Sequence, residues 1–243
     1  MLFSMLDFLM SNEALTFIQI FLAFAITVIA YRIFGKVGLF VMAGVFTLYA
    51  NLEVANMATV FGLAVSLGNV SFVGAALCQD ILNENEGEKV ARWTVWFGFL
   101  GCLAIMLISQ VSTKFTPNEF DTIHDSFKAV FGPFSAVTII SLCTYLISNT
   151  MNVKLYAFFS KFTKVVWIRS QASTWISQLA DTLIMTTVCA IVGIFAWDIF
   201  WELILTTYII KVIVAVCEIP FMYWAKSLKK KNKVHEVLDV VVA

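Results

Sequence analysis

Thr174, Ser177, Gln178 and Asp181 recur at i, i+3, i+4 and i+7 in a largely apolar stretch. That spacing gathers their hydroxyl, amide and carboxylate groups on one helical face. Such a face can bind a polar solute or glue helices together, and interhelical hydrogen bonds of this kind average about 0.6 kcal/mol. Other polar groups interrupt apolar runs in the same way: Asn51 with Glu53, Gln79 with Asp80, Asn149 with Asn152, and Lys211 with Glu218. A charge in hydrocarbon costs about 2.5 kcal/mol or more and is normally turned toward a cavity or a partner. A buried ion pair offsets little beyond its own desolvation, so Asp181 and Lys211 read as lining a site rather than as a purely structural pair. The chemistry on offer is binding. His124 and His235 stand alone and the five cysteines show no CxxC spacing. No HExxH, Ser with His, or GxxxxGK[ST] pattern occurs, so the chain reads as a non-enzyme with no cofactor or metal.

The elements that must position these residues are membrane helices. Of the 243 residues, 60% are hydrophobic and only 13% charged, against roughly 25% charged in soluble domains. Net charge is zero, which gives nucleic acid no electrostatic footing. About 20 apolar residues span a bilayer core, and seven segments qualify: 14–31, 37–58, 62–82, 93–113, 133–158, 172–196 and 199–225. Continuous apolar runs such as Leu100 to Ile108 argue against a β-barrel. The expected fold is therefore an all-α integral membrane protein with about seven transmembrane helices. Asp7 and Glu13 precede the first run, which lacks the basic flank of a signal peptide and reads as a retained helix.

Loop charge gives the expected direction. Arg32 and Lys36, Lys89 and Arg92, Lys154 to Arg169, and Lys226 to Lys233 follow the odd-numbered spans, whereas the other loops are mainly acidic. Basic loops stay in the cytoplasm, which places the N-terminus outside and the C-terminus inside. Counting along the helices puts Gln178, Asp181 and Lys211 near the midplane. Asn51 falls in the outer half of its helix, Asn149, Asn152 and Glu218 fall in inner halves, and Gln79 and Asp80 end the third helix. The stretch 115–132 has Phe120, Ile123, Phe127 and Val130 at helical spacing and reads as an interfacial helix on the outer face. Trp93, Trp96, Trp167, Trp197, Trp201 and Trp224 fall near helix ends, as interfacial aromatics do.

The residues also carry a resemblance. Asn51 to Phe99 (NLEVANMATVFGLAVSLGNVSFVGAALCQDILNENEGEKVARWTVWFGF) resembles the first half of the queuosine precursor transporter family, also called the vitamin uptake transporter family. Trp167 to Tyr223 resembles its second half, through WIRSQASTWISQLADT and TYIIKVIVAVCEIPFMY. The sequence looks like a divergent member. Asn56 stands where a lysine is common, Gln79 replaces a threonine, and Glu86 replaces an aromatic. Asn149 and Asn152 stand where Gln and Asp are usual, Ser170 and Gln171 replace asparagines, and Glu218-Ile219 replaces Asp-Thr.

The resemblance implies a six-helix core at 37–225, with 1–36 supplying the extracytoplasmic end and an added helix and 226–243 a basic cytoplasmic tail. It implies import of 7-cyano-7-deazaguanine or a related 7-deazaguanine across the cytoplasmic (inner) membrane of a prokaryote. A guanine-like edge has adjacent N–H donors and a carbonyl. Asp181 suits the donors, Gln178, Asn149 or Lys211 suits the carbonyl, and Tyr145 could stack on the ring. Asn152, Asn51, Thr174, Glu218 and Asp80 complete the candidate substrate-binding set. Asp181, Glu218 or Lys211 could carry a coupling proton. The expected partners are the small-molecule substrate and membrane lipid, with no nucleic acid, and a homo-oligomer or an ATPase partner is compatible. The altered fifth helix leaves open another nucleobase or a small vitamin as cargo, or a binding or scaffold protein that transports nothing.

Overall fold

The computed structural model describes residues 11–53, 56–131, 134–193 and 196–236 and, within these, all side chains but those of 64 and 134–138. Its first helix, α1 (Asn12–Glu53), joins two apolar arms through Gly35, whose backbone sits at φ 59° and ψ −142°. That left-handed conformation suits glycine, and a Cβ there would collide with the Glu236 carboxylate. At about 1.5 Å per residue the arms 12–34 and 36–53 are about 35 and 27 Å long, each roughly one bilayer core. The first two expected spans thus fall on its two arms, although the second arm stops at Glu53 rather than Ala58.

After α1 the chain forms an antiparallel hairpin of β1 (Met57–Val60) and β2 (Leu63–Ser66), with Met57 opposite Ser66. This corrects the expected start of the third helix at Gly62. Phe61 and Gly62 have φ of 49° and 76°, the positive values that a tight two-residue hairpin turn requires, so no helix can run through them. Phe61 tolerates its conformation because its N–H donates to Glu13 Oε1 at 3.0 Å and its ring meets Phe17 edge-on.

The remaining helices are α2 (Gly68–Asn85), α3 (Glu88–Ser112), α4 (His124–Phe131), α5 (Phe134–Phe159), α6 (Val166–Ile191), α7 (Phe200–Cys217) and α8 (Ile219–Lys230), with a 3-10 turn at Trp197–Ile199. Since α2 begins late and runs to Asn85, Gln79 and Asp80 lie inside it rather than at its end, which corrects the expected position of both. The expected outer interfacial helix is confined to α4, eight residues with none buried. The expected last span is divided at Glu218. Pro220 lacks the N–H that would bond the Val216 carbonyl and cannot continue the α7 ladder; just before it the Ala215 carbonyl accepts Glu218 N–H at 3.1 Å and Gln171 Nε2 at 2.9 Å.

Among the described residues, four helical stretches are long and apolar enough to cross a membrane: Asn12–Glu53, Glu88–Ser112, Val166–Ile191 and Trp197–Lys230. Their surfaces suit lipid. Phe21 and Ile29 on α1, Leu100 and Ile108 on α3, and Leu205 and Ile213 on α7 all point outward, while Gln79, Asp80, Asn152, Thr174, Lys211 and Glu218 are buried. Apolar packing joins Phe24, Val28 and Leu39 of α1 to Leu77 and Ile81 of α2, Val153 of α5 and Met222 of α8. All five cysteines are free; Cys78, Cys102 and Cys189 are buried, Cys217 is half-buried and Cys143 is exposed.

The two ends of the bundle differ. Asn12 Nδ2 donates to the Thr59 carbonyl at one end. At the other, Glu84 bridges Arg169 (2.9 Å) and Lys226 (2.7 Å), Glu86 pairs with Lys229 (2.7 Å), and His235 N–H donates to the Arg32 carbonyl. Four of the basic residues that sequence reading assigned to one side, Arg32, Arg169, Lys226 and Lys229, lie at this end.

Candidate functional site

Three helices bring their polar faces together inside the bundle. On α5, Ser148, Asn149 and Asn152 fall at i, i+1 and i+4 and turn toward α2 and α6. On α6, the Thr174, Ser177, Gln178 and Asp181 face is buried down to Asp181, which is half-buried. Lys211 reaches in from α7, 3% exposed.

The centre is an ion pair. Lys211 Nζ lies 2.6 Å from Asp181 Oδ2 and donates to Thr182 Oγ1 at 3.4 Å. Ser148 Oγ donates to Asp181 Oδ1 at 2.9 Å. From there a ladder of amides runs across the bundle. Asn149 Nδ2 donates to Ser148 Oγ (3.5 Å), Gln79 Nε2 to Asn149 Oδ1 (2.7 Å), and Asn152 Nδ2 to both Gln79 Oε1 (3.2 Å) and Asp80 Oδ1 (3.1 Å); Ser177 Oγ closes onto Asn152 Oδ1 at 3.2 Å. A second group lies where α7 gives way to α8. Ser170 Oγ donates to Glu218 Oε1 at 2.8 Å and Gln171 Nε2 to the same oxygen at 3.2 Å.

Buried polar atoms are nearly always paired, so the exceptions are informative. Gln178 Oε1, Thr174 Oγ1, Thr144 Oγ1, Asp80 Oδ2 and Glu218 Oε2 have no hydrogen-bond partner. Those of Gln178, Thr174, Asp80 and Glu218 belong to this region, whereas Asn85 Nδ2 and Arg169 Nε, also without a partner, lie with the charged residues at the basic end. Phe72 of α2 sits with its ring centroid 5.4 Å from Lys211 Nζ, in cation–π range. Sequence reading missed Phe72, because one phenylalanine among 23 has no distinguishing signature.

Of the expected residues, Asp181, Gln178, Lys211, Asn149, Asn152, Thr174, Asp80 and Glu218 are gathered here. Two are not. Tyr145 is buried, its hydroxyl within 3.3 Å of Thr47 Oγ1 and 3.4 Å of the Thr94 carbonyl, so its ring is locked against α1 and α3. Asn51 donates to the Thr47 carbonyl at 2.7 Å and contacts Cys102, which places it in the α1–α3 contact. A groove of about 780 Å³ lies along Ile147, Met151, Lys154 and Phe158 on the other side of α5. It is open and flanked by outward apolar side chains, whereas the convergent polar groups are inside. Among the described residues no group of three or more His, Cys, Asp or Glu is placed to hold a metal ion.

This arrangement can bind a small polar molecule and hold buried charge, within helices whose outer surfaces are apolar. Comparison with known proteins agrees. Residues 66–225 match the family described as "Putative vitamin uptake transporter". The chain is 35% identical over 208 residues, 84% of its length and 90% of the relative's, to a "Probable queuosine precursor transporter" of Bacillus subtilis (strain 168). No solved structure gives a significant match. The chain therefore belongs to the vitamin uptake transporter family and is a multi-pass membrane transporter of a small molecule.

Proposed function

We propose that the chain imports a queuosine precursor, 7-cyano-7-deazaguanine or a closely related 7-deazaguanine, across the cytoplasmic membrane of a prokaryote. The carrying observation is the buried set of Asp181, Lys211 and Gln178, with the Phe72 ring against the ammonium. A 7-deazaguanine offers adjacent N–H donors, a carbonyl and a flat ring. Asp181 accepts the donors in exchange for Ser148, Lys211 or the free Gln178 amide group meets the polar edge, and Phe72 stacks. The relative's name supports the same cargo.

The departures from the family pattern support retention of the site. Gln79, Asn149 and Asn152 are direct hydrogen-bond neighbours, and so are Ser170, Gln171 and Glu218. In each set a longer side chain faces a shorter one, so the changes offset one another in space.

Seven spans accompany this reading: the two arms of α1, then α2, α3, α5, α6 and the α7–α8 unit, with 1–36 an addition to a core at 37–225. The basic end faces the cytoplasm and the tail from 226 lies against it. The test is uptake of radiolabelled 7-cyano-7-deazaguanine by a cell that cannot make it. The chain restores uptake and Asp181→Asn abolishes it. Normal uptake by that variant removes Asp181 from the site, and no uptake by the wild-type chain removes the cargo.

A further inference from the structure

Two buried carboxylates take no part in the cargo contacts above. Asp80 on α2 and Glu218 at the α7–α8 break are both 0% exposed. They interact electrostatically across the Ser170 hydroxyl, which donates to Glu218 and faces Asp80. Each also keeps one oxygen without a partner, Asp80 Oδ2 and Glu218 Oε2. The Thr174 hydroxyl, also wholly buried and without a hydrogen-bond partner, lies one turn along α6 from Ser170.

The charges do not balance. Lys211 is committed to Asp181. The groups that face Asp80 from neighbouring elements are Asn152 and Tyr156 on α5, Ser170 and Thr174 on α6, and Glu84 on its own helix. Glu218 faces Ser170 and Gln171 on α6, with Cys217 beside it. Glu84 already holds Arg169 and Lys226. Two anions in a low-dielectric interior, with no cation between them among the described residues, cost several kcal/mol each.

We infer that Asp80 and Glu218, bridged by Ser170 and capped by Thr174, form a monovalent-cation site that takes a proton or Na⁺ and couples it to cargo movement. Only the transport arm of the test rests on the cargo reading. The purified full-length chain is first measured without cargo. With a proton in the site, the wild type shows the infrared carbonyl band of a protonated carboxyl near neutral pH, and Asp80→Asn or Glu218→Gln removes it. With Na⁺, the wild type melts higher in sodium chloride than in choline chloride, and the same variants lose the difference. Absence of both signals from the wild type, or their survival in both variants, overturns the site. Ser170→Ala keeps both carboxylates and shifts the midpoint of whichever signal is seen; an unmoved midpoint also overturns it. In proteoliposomes the two neutral variants lose gradient-driven accumulation of 7-cyano-7-deazaguanine by about tenfold, within the usual range of coupling, as the wild type does when that cation's gradient is dissipated. Undiminished accumulation overturns the coupling role. A wild type that moves no such cargo refutes the cargo, while the infrared and melting results still decide the cation site.

Discussion

Asp181 and Lys211 meet at 2.6 Å with side chains only 15% and 4% exposed, so removing one strands the other. Breaking a buried pair costs roughly 3 kcal/mol, and replacing both members with neutral groups recovers much of that. Lys211→Met should therefore lower the melting temperature sharply, and Asp181→Asn with Lys211→Met should restore part of it without restoring uptake. Recovery of uptake along with stability would assign the pair a structural role only. Phe72 supports a second expectation. Aromatic stacking on a base is worth about 1–3 kcal/mol, so Phe72→Ala should raise the KM for 7-cyano-7-deazaguanine about tenfold or more, with Phe72→Trp close to wild type. Tyr145→Phe should leave KM unchanged, because that hydroxyl serves Thr47 and Thr94. A raised KM in Tyr145→Phe would bring that hydroxyl into contact with the cargo, and an unchanged KM in Phe72→Ala would remove Phe72 from the site.

Helix contacts decide which of these side chains can meet, and α3 approaches α5 closely at Gly98. A Cβ at Gly98 would collide with Tyr145 Oη and come within 2.8 Å of Thr47 Oγ1. Overpacking of that kind costs about 1–3 kcal/mol. Gly98→Ala should lower the melting temperature, and Tyr145→Phe in the same chain should return much of the loss; an unaffected Gly98→Ala would show that α3 can shift freely. None of this was legible in the sequence, since it depends on residues 47, 98 and 145 converging from three helices. The face of α6 was legible, because i, i+3, i+4 and i+7 spacing survives folding unchanged. The break at Glu218 carried a signal in Pro220 that hydropathy overrode. The hairpin at Met57–Ser66 left only a weak one, because an apolar run reads alike as strand or helix until the Phe61-Gly62 turn is known. The partners of Gln79, some 70 residues away on α5, are set by packing alone.

Across the whole molecule, an apolar exterior encloses a polar interior, and the two ends carry unlike charge. One end ties the start of α1 to the hairpin through Asn12 and Glu13. The other gathers Arg169, Lys226 and Lys229 around Glu84 and Glu86, reaching α2, α6 and α8 at once. Positive charge is retained in the cytoplasm, so the second end should face inward, and the segment at Asn118 and Glu119, one span from either basic neighbour loop, should face outward. Reporter fusions check this directly. A fluorescent protein that matures only in the cytoplasm should be bright after Glu236 and dark when inserted at Asn118, and an alkaline phosphatase that needs the outside should give the reverse. Seven crossings require opposite readings at the start of α1 and after α8. Like readings at those two ends would make the crossing number even and merge two of the proposed spans, with α2, only 18 residues long, the first to be reconsidered.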